Sequence, residues 1–214
     1  MIDTSFKKIP HVLPDLFLKG TVAVVGASGH LIDSKFGEFI DSHDQVIRFN
    51  RSPTEGYTDD VGSKTTLRVV NNHVFCNVDV SSDGYSNSPQ YFVKNLRNTN
   101  ILYIGPDYGP YHNRHTNTDS SNKVYLFDYA TANKLKSLMG TTHTENLLIG
   151  SIMVGLLIKS GIKPNLFGFD TDPIPRTHYY QDRPKNCSAV HNGNAEQKML
   201  KNLNENKIIR IYKK

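Results

Sequence analysis

Short, uncharged apolar runs alternate along the chain with stretches of helical spacing, the rhythm of an α/β domain. Thr21–Val25 (TVAVV) is β-branched, free of charge and stopped by Gly26, which predicts a buried strand. Gln45–Phe49, Thr65–Val70, Ile101–Ile104, Val124–Phe127, Asn165–Phe169 and Lys207–Tyr212 predict further strands, and Ser34–Asp41 a short helix. The most apolar run, Leu147–Ile158, falls well short of the ~20 residues needed to cross a bilayer and reads as a buried helix. Its predicted span is Glu145–Ser160, with Thr144 as cap, Gly161 just past the end and Pro164 beyond. Asn194, with Gln197 three positions on, resembles a capping box opening a helix that carries Met199, Leu200 and Leu203.

Six or seven strands interleaved with helices imply an α/β fold with a doubly wound, mostly parallel sheet. Such sheets bind ligands beyond the carboxyl ends of their strands. That rule selects three places: Gly26–His30, Asn50–Arg51 and the stretch from Asp170 onward. At each, backbone amides and helix N-termini can face an anion.

Composition narrows the function classes only a little. The chain has 214 residues, 37% of them apolar and 21% charged, with 10 Phe and 11 Tyr, enough to bury a core and exclude wholesale disorder. The net charge of +5 favours an anionic ligand, but no basic stripe with interleaved aromatics points to nucleic acid. Cys76 and Cys187 form neither a disulfide framework nor a metal-binding spacing. The first twenty residues lack the uninterrupted apolar stretch of a signal peptide or anchor. The expectation is an N-terminal extension over residues 1–20, a single domain over 21–214, no membrane span and a cytoplasmic location.

Gly26-Ala27-Ser28-Gly29 after an apolar strand is a nucleotide-style turn. It lacks the third glycine of the dinucleotide fingerprint and the GK[ST] of a P-loop, so by itself a plain strand-to-helix turn fits as well. The residues from position 40 onward are more particular. Ile40-Asp41-Ser42-His43-Asp44-Gln45-Val46-Ile47-Arg48-Phe49-Asn50-Arg51-Ser52-Pro53-Thr54 is followed by Gly56-Tyr57 and by Asp60-Val61-Gly62-Ser63-Lys64-Thr65-Thr66. Together with Ala23-Val24-Val25-Gly26, this stretch resembles the long motif of the family 29 glycosyltransferases, the eukaryotic-type sialyltransferases. Three shorter signatures of that family come after it in the family's order. Gly150-Ser151 opening an apolar helix, with Leu166-Phe167-Gly168-Phe169 after it, resembles the short motif. His178-Tyr179-Tyr180-Gln181 resembles the third motif, and His191 with Glu196 the very short one.

The resemblance implies a GT-A-like variant of the Rossmann-type fold and an inverting, metal-independent transfer of sialic acid from CMP-sialic acid to a glycan hydroxyl. The acceptor expected is a galactose-terminated glycan, with no cofactor, no metal and no nucleic acid. It places donor binding at Gly26, Ala27, Ser28, Gly29, Asn50, Arg51, Gly150, Ser151, Gly168, Phe169 and Tyr179. His191 is then the general base, a role suited to an imidazole titrating near ~6.5. His178 stabilises the leaving phosphate, and Tyr180 stays open between a site role and an aromatic loop cluster. Glu196, in the first turn of a helix, fits a purely structural part.

The sequence departs from the family pattern in places. Ala27 and His30 stand where the family has asparagines, and Leu148-Ile149 where it has a hydroxyl pair. The cysteines that join the long and short motifs in animal members align with Val22 and Gly161, which adds to the cytoplasmic expectation and suggests a microbial or viral source. Asp170-Thr171-Asp172 offers a divalent-metal spacing, set aside because the family resembled is metal-independent. Two rivals remain: transfer of Kdo from CMP-Kdo, and a non-catalytic module that binds CMP or glycan without turnover. Acceptor choice is expected to lie in Phe75–Asn98, Tyr108–Asn122 and Thr171–Ala189.

Overall fold

The computed structural model describes residues 7–8, 19–75, 93, 96–105, 119–128, 148–171, 178–180 and 193–214. Eight strands form one sheet in which every pairing is parallel: β1 (Lys7–Lys8), β2 (Val22–Val25), β3 (Gln45–Phe49), β4 (Leu67–Asn71), β5 (Asn100–Gly105), β6 (Lys123–Asp128), β7 (Asn165–Phe167) and β8 (Arg210–Tyr212). Their spatial order is β1-β6-β5-β4-β3-β2-β7-β8. The helices described are α1 (Gly37–Asp41), α2 (Thr58–Val61), α3 (Asn72–Phe75), α4 (Ile149–Lys159) and α5 (Gly193–Glu205), with a 3-10 turn at Gly29–Leu31. The sheet winds outward in both directions from β2 and β7, the doubly wound arrangement expected from the sequence. These two strands flank its topological switch point.

The two-residue period of a strand divides the core. Val22, Val24, Ile47, Phe49, Leu67, Val69, Leu102 and Ile104 face one side, under Ile152, Met153, Leu156 and Leu157 of α4 and Met199, Leu200 and Leu203 of α5. Ala23, Val25 and Val46 face the other, under Leu31, Ile40 and Val61. Ser151–Leu157 is buried without interruption, as an all-round apolar helix requires. Arg48 and Arg68 interrupt this apolar pattern. They are directly opposed in the β3–β4 register, and both are buried.

Several local expectations are corrected. α1 begins at Gly37 rather than Ser34, because Asp33 and Lys35 hold left-handed backbone (φ 59° and 57°). The Asp60 carboxylate fixes them, its Oδ2 accepting from the Asp33 N–H (2.9 Å) and its Oδ1 from the Lys35 N–H (3.0 Å). α4 starts after an extended Leu148, so Thr144, outside the described residues, is not its N-cap. α5 begins at Gly193, which puts Asn194 inside the helix instead of capping it. β7 ends at Phe167 because Gly168 turns to φ +67°, and β8 shortens because Lys207 takes φ 59°. Gly161 does close α4 with φ +74°. Lys7–Lys8, within the expected extension, pairs with Tyr125 and Leu126 as an edge strand.

Candidate functional site

The site is built at the carboxyl ends of β2, β3 and β7. As β2 ends, the Gly26 N–H donates to the Phe167 carbonyl (2.7 Å) and Ser28 N–H to that of Gly168 (3.4 Å), so the chain leaving β2 continues along the chain leaving β7. The approach is too close for side chains. A Cβ at Gly26 would sit on the Gly168 carbonyl oxygen, and one at Gly168 would lie 2.6 Å from Leu31 Cδ1. Gly150, at the start of α4, packs its Cα against the ring of Phe169, which meets Phe49 edge-on (6.3 Å).

The Ser28 hydroxyl donates to Asp170 Oδ1 (2.6 Å) and accepts from the His30 N–H (3.2 Å), capping the 3-10 turn. His30 Nε2 lies 3.8 Å from the same carboxylate oxygen. Ser151, 2% exposed, gives its hydroxyl hydrogen to Glu196 Oε2 (2.8 Å). Both hydroxyls therefore serve internal carboxylates. What they offer a ligand is backbone. Leu148 supplies no side-chain cap to α4, leaving the first-turn N–H groups of Ile149, Gly150 and Ser151 at the crevice.

The residues of the third motif close over this edge. His178 bridges Ser28 in antiparallel fashion, and the Tyr179 N–H donates to the Ala27 carbonyl (2.9 Å). The Tyr179 hydroxyl reaches across to the carbonyl of Pro53. Burial pushes this phenol up to about 12, against the pull of the Arg48 and Arg68 guanidiniums. Tyr57 and Tyr180 meet Tyr179 edge-on at 5.1 and 5.0 Å, while His178 stacks on Tyr180 at 5.1 Å. Tyr180 thus belongs to an aromatic cluster that also contains the candidate His178.

At the end of β3, Asn50 takes φ 46°, and its Oδ1 accepts from the Asn71 N–H (3.0 Å). Arg68 Nη1 donates to the carbonyls of Asn50 (3.4 Å) and Ser52 (3.1 Å), fixing the turn from beneath. Burial, and then the neighbouring Arg48, lowers Arg68 to about 10. Arg48 donates to the carbonyls of Lys64 (3.0 Å) and Val61 (2.6 Å), with Asp41 3.9 Å away.

The structure thus brings together Gly26, Ala27, Ser28, Gly29, Asn50, Arg51, Gly150, Ser151, Gly168, Phe169, His178 and Tyr179 along one sheet edge. His191, Gln181 and Asp172 lie outside the described residues, as does most of the three variable stretches. Arg68 and the Asp170–Ser28 pair are additions that the motifs did not single out. A charged residue inside an otherwise apolar strand was the available signal for Arg68. No group of three or more metal-capable side chains occurs among the described residues. Beside the edge, a cavity of about 230 Å³ opens between Asp170, His30, Phe36, Tyr212 and Lys213.

The model of glycosyltransferase family 29 (sialyltransferase) matches residues 18–104, the segment running from β2 through β5. Over those residues the chain is similar to glycosyltransferase family 29. Over most of the chain, the beta-galactoside alpha-2,6-sialyltransferase 2 of Xenopus tropicalis is 27% identical, across 208 residues, 86% of this chain and 39% of its own length. Its counterpart in Danio rerio is 51% identical over 57 residues, 27% of this chain and 11% of its own. The chain therefore spans well under half of these relatives.

Among solved structures, a mammalian sialyltransferase superposes with a TM-score of 0.65 at 24% identity, over 97% of this chain and 74% of its own. The monofunctional alpha-2,3-sialyltransferase Cst-I of Campylobacter jejuni gives 0.55 at 13% identity, over 97% and 78%. At these identities the likeness shows the fold, the GT-A-like variant expected from the motifs. The cytoplasmic expectation, with its microbial or viral source, is overturned. The relatives matched are animal sialyltransferases, which are not cytoplasmic enzymes. That expectation rested on the start of the chain and on absent cysteines, and neither reports a compartment for a chain spanning 39% of its relative. No helix among the described residues is long and apolar enough to cross a membrane.

Proposed function

We propose that this chain carries the catalytic site of a sialyltransferase that takes sialic acid from CMP-sialic acid and passes it to a glycan hydroxyl. The observation that carries the reading is the docking of His178–Tyr180 onto the ends of β2 and β3. Tyr179 bonds the Ala27 carbonyl with its N–H and the Pro53 carbonyl with its hydroxyl, joining the third motif to the long one, while the Gly26 N–H bonds the Phe167 carbonyl of the short motif, so three of the four motifs are in direct contact. The match of residues 18–104 to the family 29 model supports the same reading. Since the relatives are named as beta-galactoside sialyltransferases, a terminal galactose is the acceptor proposed.

In this mechanism the amide of Asn50 and the N–H groups opening α4 hold the CMP moiety. The imidazole of His178, flat against Tyr180, donates to the leaving phosphate as charge develops there. His191 removes the proton of the acceptor hydroxyl, whose oxygen attacks the anomeric carbon as the bond to phosphate breaks. One displacement inverts that carbon, from the β-linked donor to an α-linked product. No metal is assigned to phosphate departure, because Asp170, the one described carboxylate of the Asp-x-Asp stretch, is tied to Ser28.

The test is release of CMP from CMP-sialic acid with a galactose-terminated acceptor, resolved by chromatography, with and without a chelator. Activity that survives chelation and falls at least 100-fold in His191→Ala and His178→Ala supports the proposal. Faster turnover of CMP-Kdo would reassign the donor. CMP binding without turnover by any version would make this a binding module.

A further inference from the structure

Arg51 stands between two residues whose carbonyls are both held by one guanidinium. Arg68 Nη1 bonds Asn50 O and Ser52 O, and the Ser52 N–H returns to the Phe49 carbonyl (3.2 Å). The Arg51 backbone is thus fixed at the exit of β3, beside Asn50. Its side chain is another matter. Arg51 is only 8% exposed, and its Nε is buried without a hydrogen-bond partner. Among the described residues no carboxylate pairs with it. Arg48 and Arg68, also buried, each bond two backbone carbonyls, and the Asp41 carboxylate lies 3.9 Å from Arg48. A guanidinium withdrawn from water without a counter-charge is costly. Its planar fork matches two oxygens of a phosphate or carboxylate.

We propose that Arg51 is the anion-recognising residue of the site, pairing through its fork with an oxyanion of the sugar nucleotide. This rests on the CMP-sugar reading for the identity of the ligand. The chemistry required is a pair of anionic oxygens, supplied either by the CMP phosphate or by the carboxylate of the acidic sugar. The ligand brings the partner that the described residues do not supply, so Arg51 selects acidic donors and does little to bind the nucleoside.

Calorimetric titration of the 214-residue chain with CMP, cytidine, free N-acetylneuraminic acid and inorganic phosphate separates the possibilities. Arg51→Met keeps the length of the stem and removes the charge. Its affinity for the ligand bearing the recognised oxyanion is expected to fall about 10- to 100-fold, while that for cytidine stays within about two-fold. A fall with CMP and phosphate assigns the phosphate, and a fall confined to N-acetylneuraminic acid assigns the carboxylate. Arg51→Lys is expected to recover part of the loss, since an ammonium restores charge without the fork.

The unliganded Arg51→Met protein is expected to melt no lower than wild type, because it loses an unpaired buried charge. Equal losses for cytidine and for the anions, no loss at all, or a variant that melts lower or fails to fold would each overturn the proposal. The CMP reading fails separately. If wild type binds phosphate through Arg51 but neither cytidine nor CMP, the anion site stands and the nucleotide assignment falls.

Discussion

Glu196 accepts the hydroxyl hydrogen of Ser151 at 2.8 Å across 45 positions of sequence, and its second oxygen accepts the Leu148 N–H at 2.6 Å. One buried carboxylate thereby ties the first turn of α5 to the start of α4. The residue five places after the proposed base His191 thus holds the end of the helix that begins the donor site. The sequence suggested only a favourable place on a helix dipole. The contact shows a cap supplied from a different helix, at an end that Leu148 leaves uncapped.

Removing that carboxylate leaves two donors unpaired in a buried place. Glu196→Ala is expected to lose about 2–4 kcal/mol of stability, or roughly 5–15 °C in Tm for a chain of this size. Glu196→Gln keeps one acceptor and is expected to lose about half of that. Urea unfolding of the three proteins checks it, and equal midpoints would remove the capping role.

The core of the sheet was legible because its strands are fully buried and so read as uninterrupted apolar runs. β3 has the bounds its residues predict, and β2 differs by one residue. The three strand exits chosen from topology are where the structure assembles its edge. Helix starts were misread wherever a partner distant in sequence decides them. Asp60 fixes the entry to α1 from 25 and 27 positions away, and Glu196 takes the place that Thr144 was expected to fill. β1 was invisible because Lys7-Lys8 has no strand pattern of its own and owes its conformation to the free edge of β6. Arg68 was passed over for a related reason. Hydrophobic patterning reads a strand arginine as a solvent-facing break, whereas this one is buried and spends its donors on the turn beside it.

Asp60 provides a second measure of such long-range control. Its carboxylate alone accepts from the two residues held at positive φ ahead of α1. Asp60→Ala is expected to cost about 2–3 kcal/mol, and Asp60→Asn roughly 1 kcal/mol, because an amide oxygen can serve only one of the two N–H groups. Hydrogen exchange at Asp33 and Lys35 is the sharper readout. Both amides should lose protection in Asp60→Ala, whereas retained protection would show that another contact sets the turn.

Gly26 and Gly161 should respond very differently to the same added methyl. At Gly26 the new Cβ collides with the backbone oxygen of Gly168, which has no rotamer with which to yield. Gly26→Ala is expected to cost about 3 kcal/mol or more and to lower CMP binding by separating β2 from β7. At Gly161 the space is open and only the positive φ opposes a side chain, so Gly161→Ala should cost about 1 kcal/mol with binding unchanged. Melting curves and CMP titrations of both variants make the comparison. Equal losses would mean that the close approach of β2 and β7 carries no special strain.

Alkaline pH isolates Tyr179. Its folded phenol titrates at about 12, against 10.0 unfolded, so between those values the unfolded chain releases a proton that the folded chain keeps. Fewer protons on the unfolded state means that stability falls as pH rises from 10 to 12, by roughly 2–3 kcal/mol for a shift of this size. Arg68 works the other way. Burial lowers its folded value to about 10, below that of the free group, so from about pH 10 upward the folded chain holds fewer protons and stability rises with pH. The two trends offset each other in wild type. Tyr179→Phe abolishes the first and keeps the second. At neutral pH the variant should be about 1 kcal/mol less stable for want of the bond to Pro53. From pH 10 to 11.5 it should gain on wild type by roughly 2 kcal/mol. Urea unfolding at intervals across that range, with absorbance at 295 nm following tyrosinate, decides the matter. Parallel stability curves would place the Tyr179 hydroxyl in water rather than between two guanidiniums and the turn at Pro53.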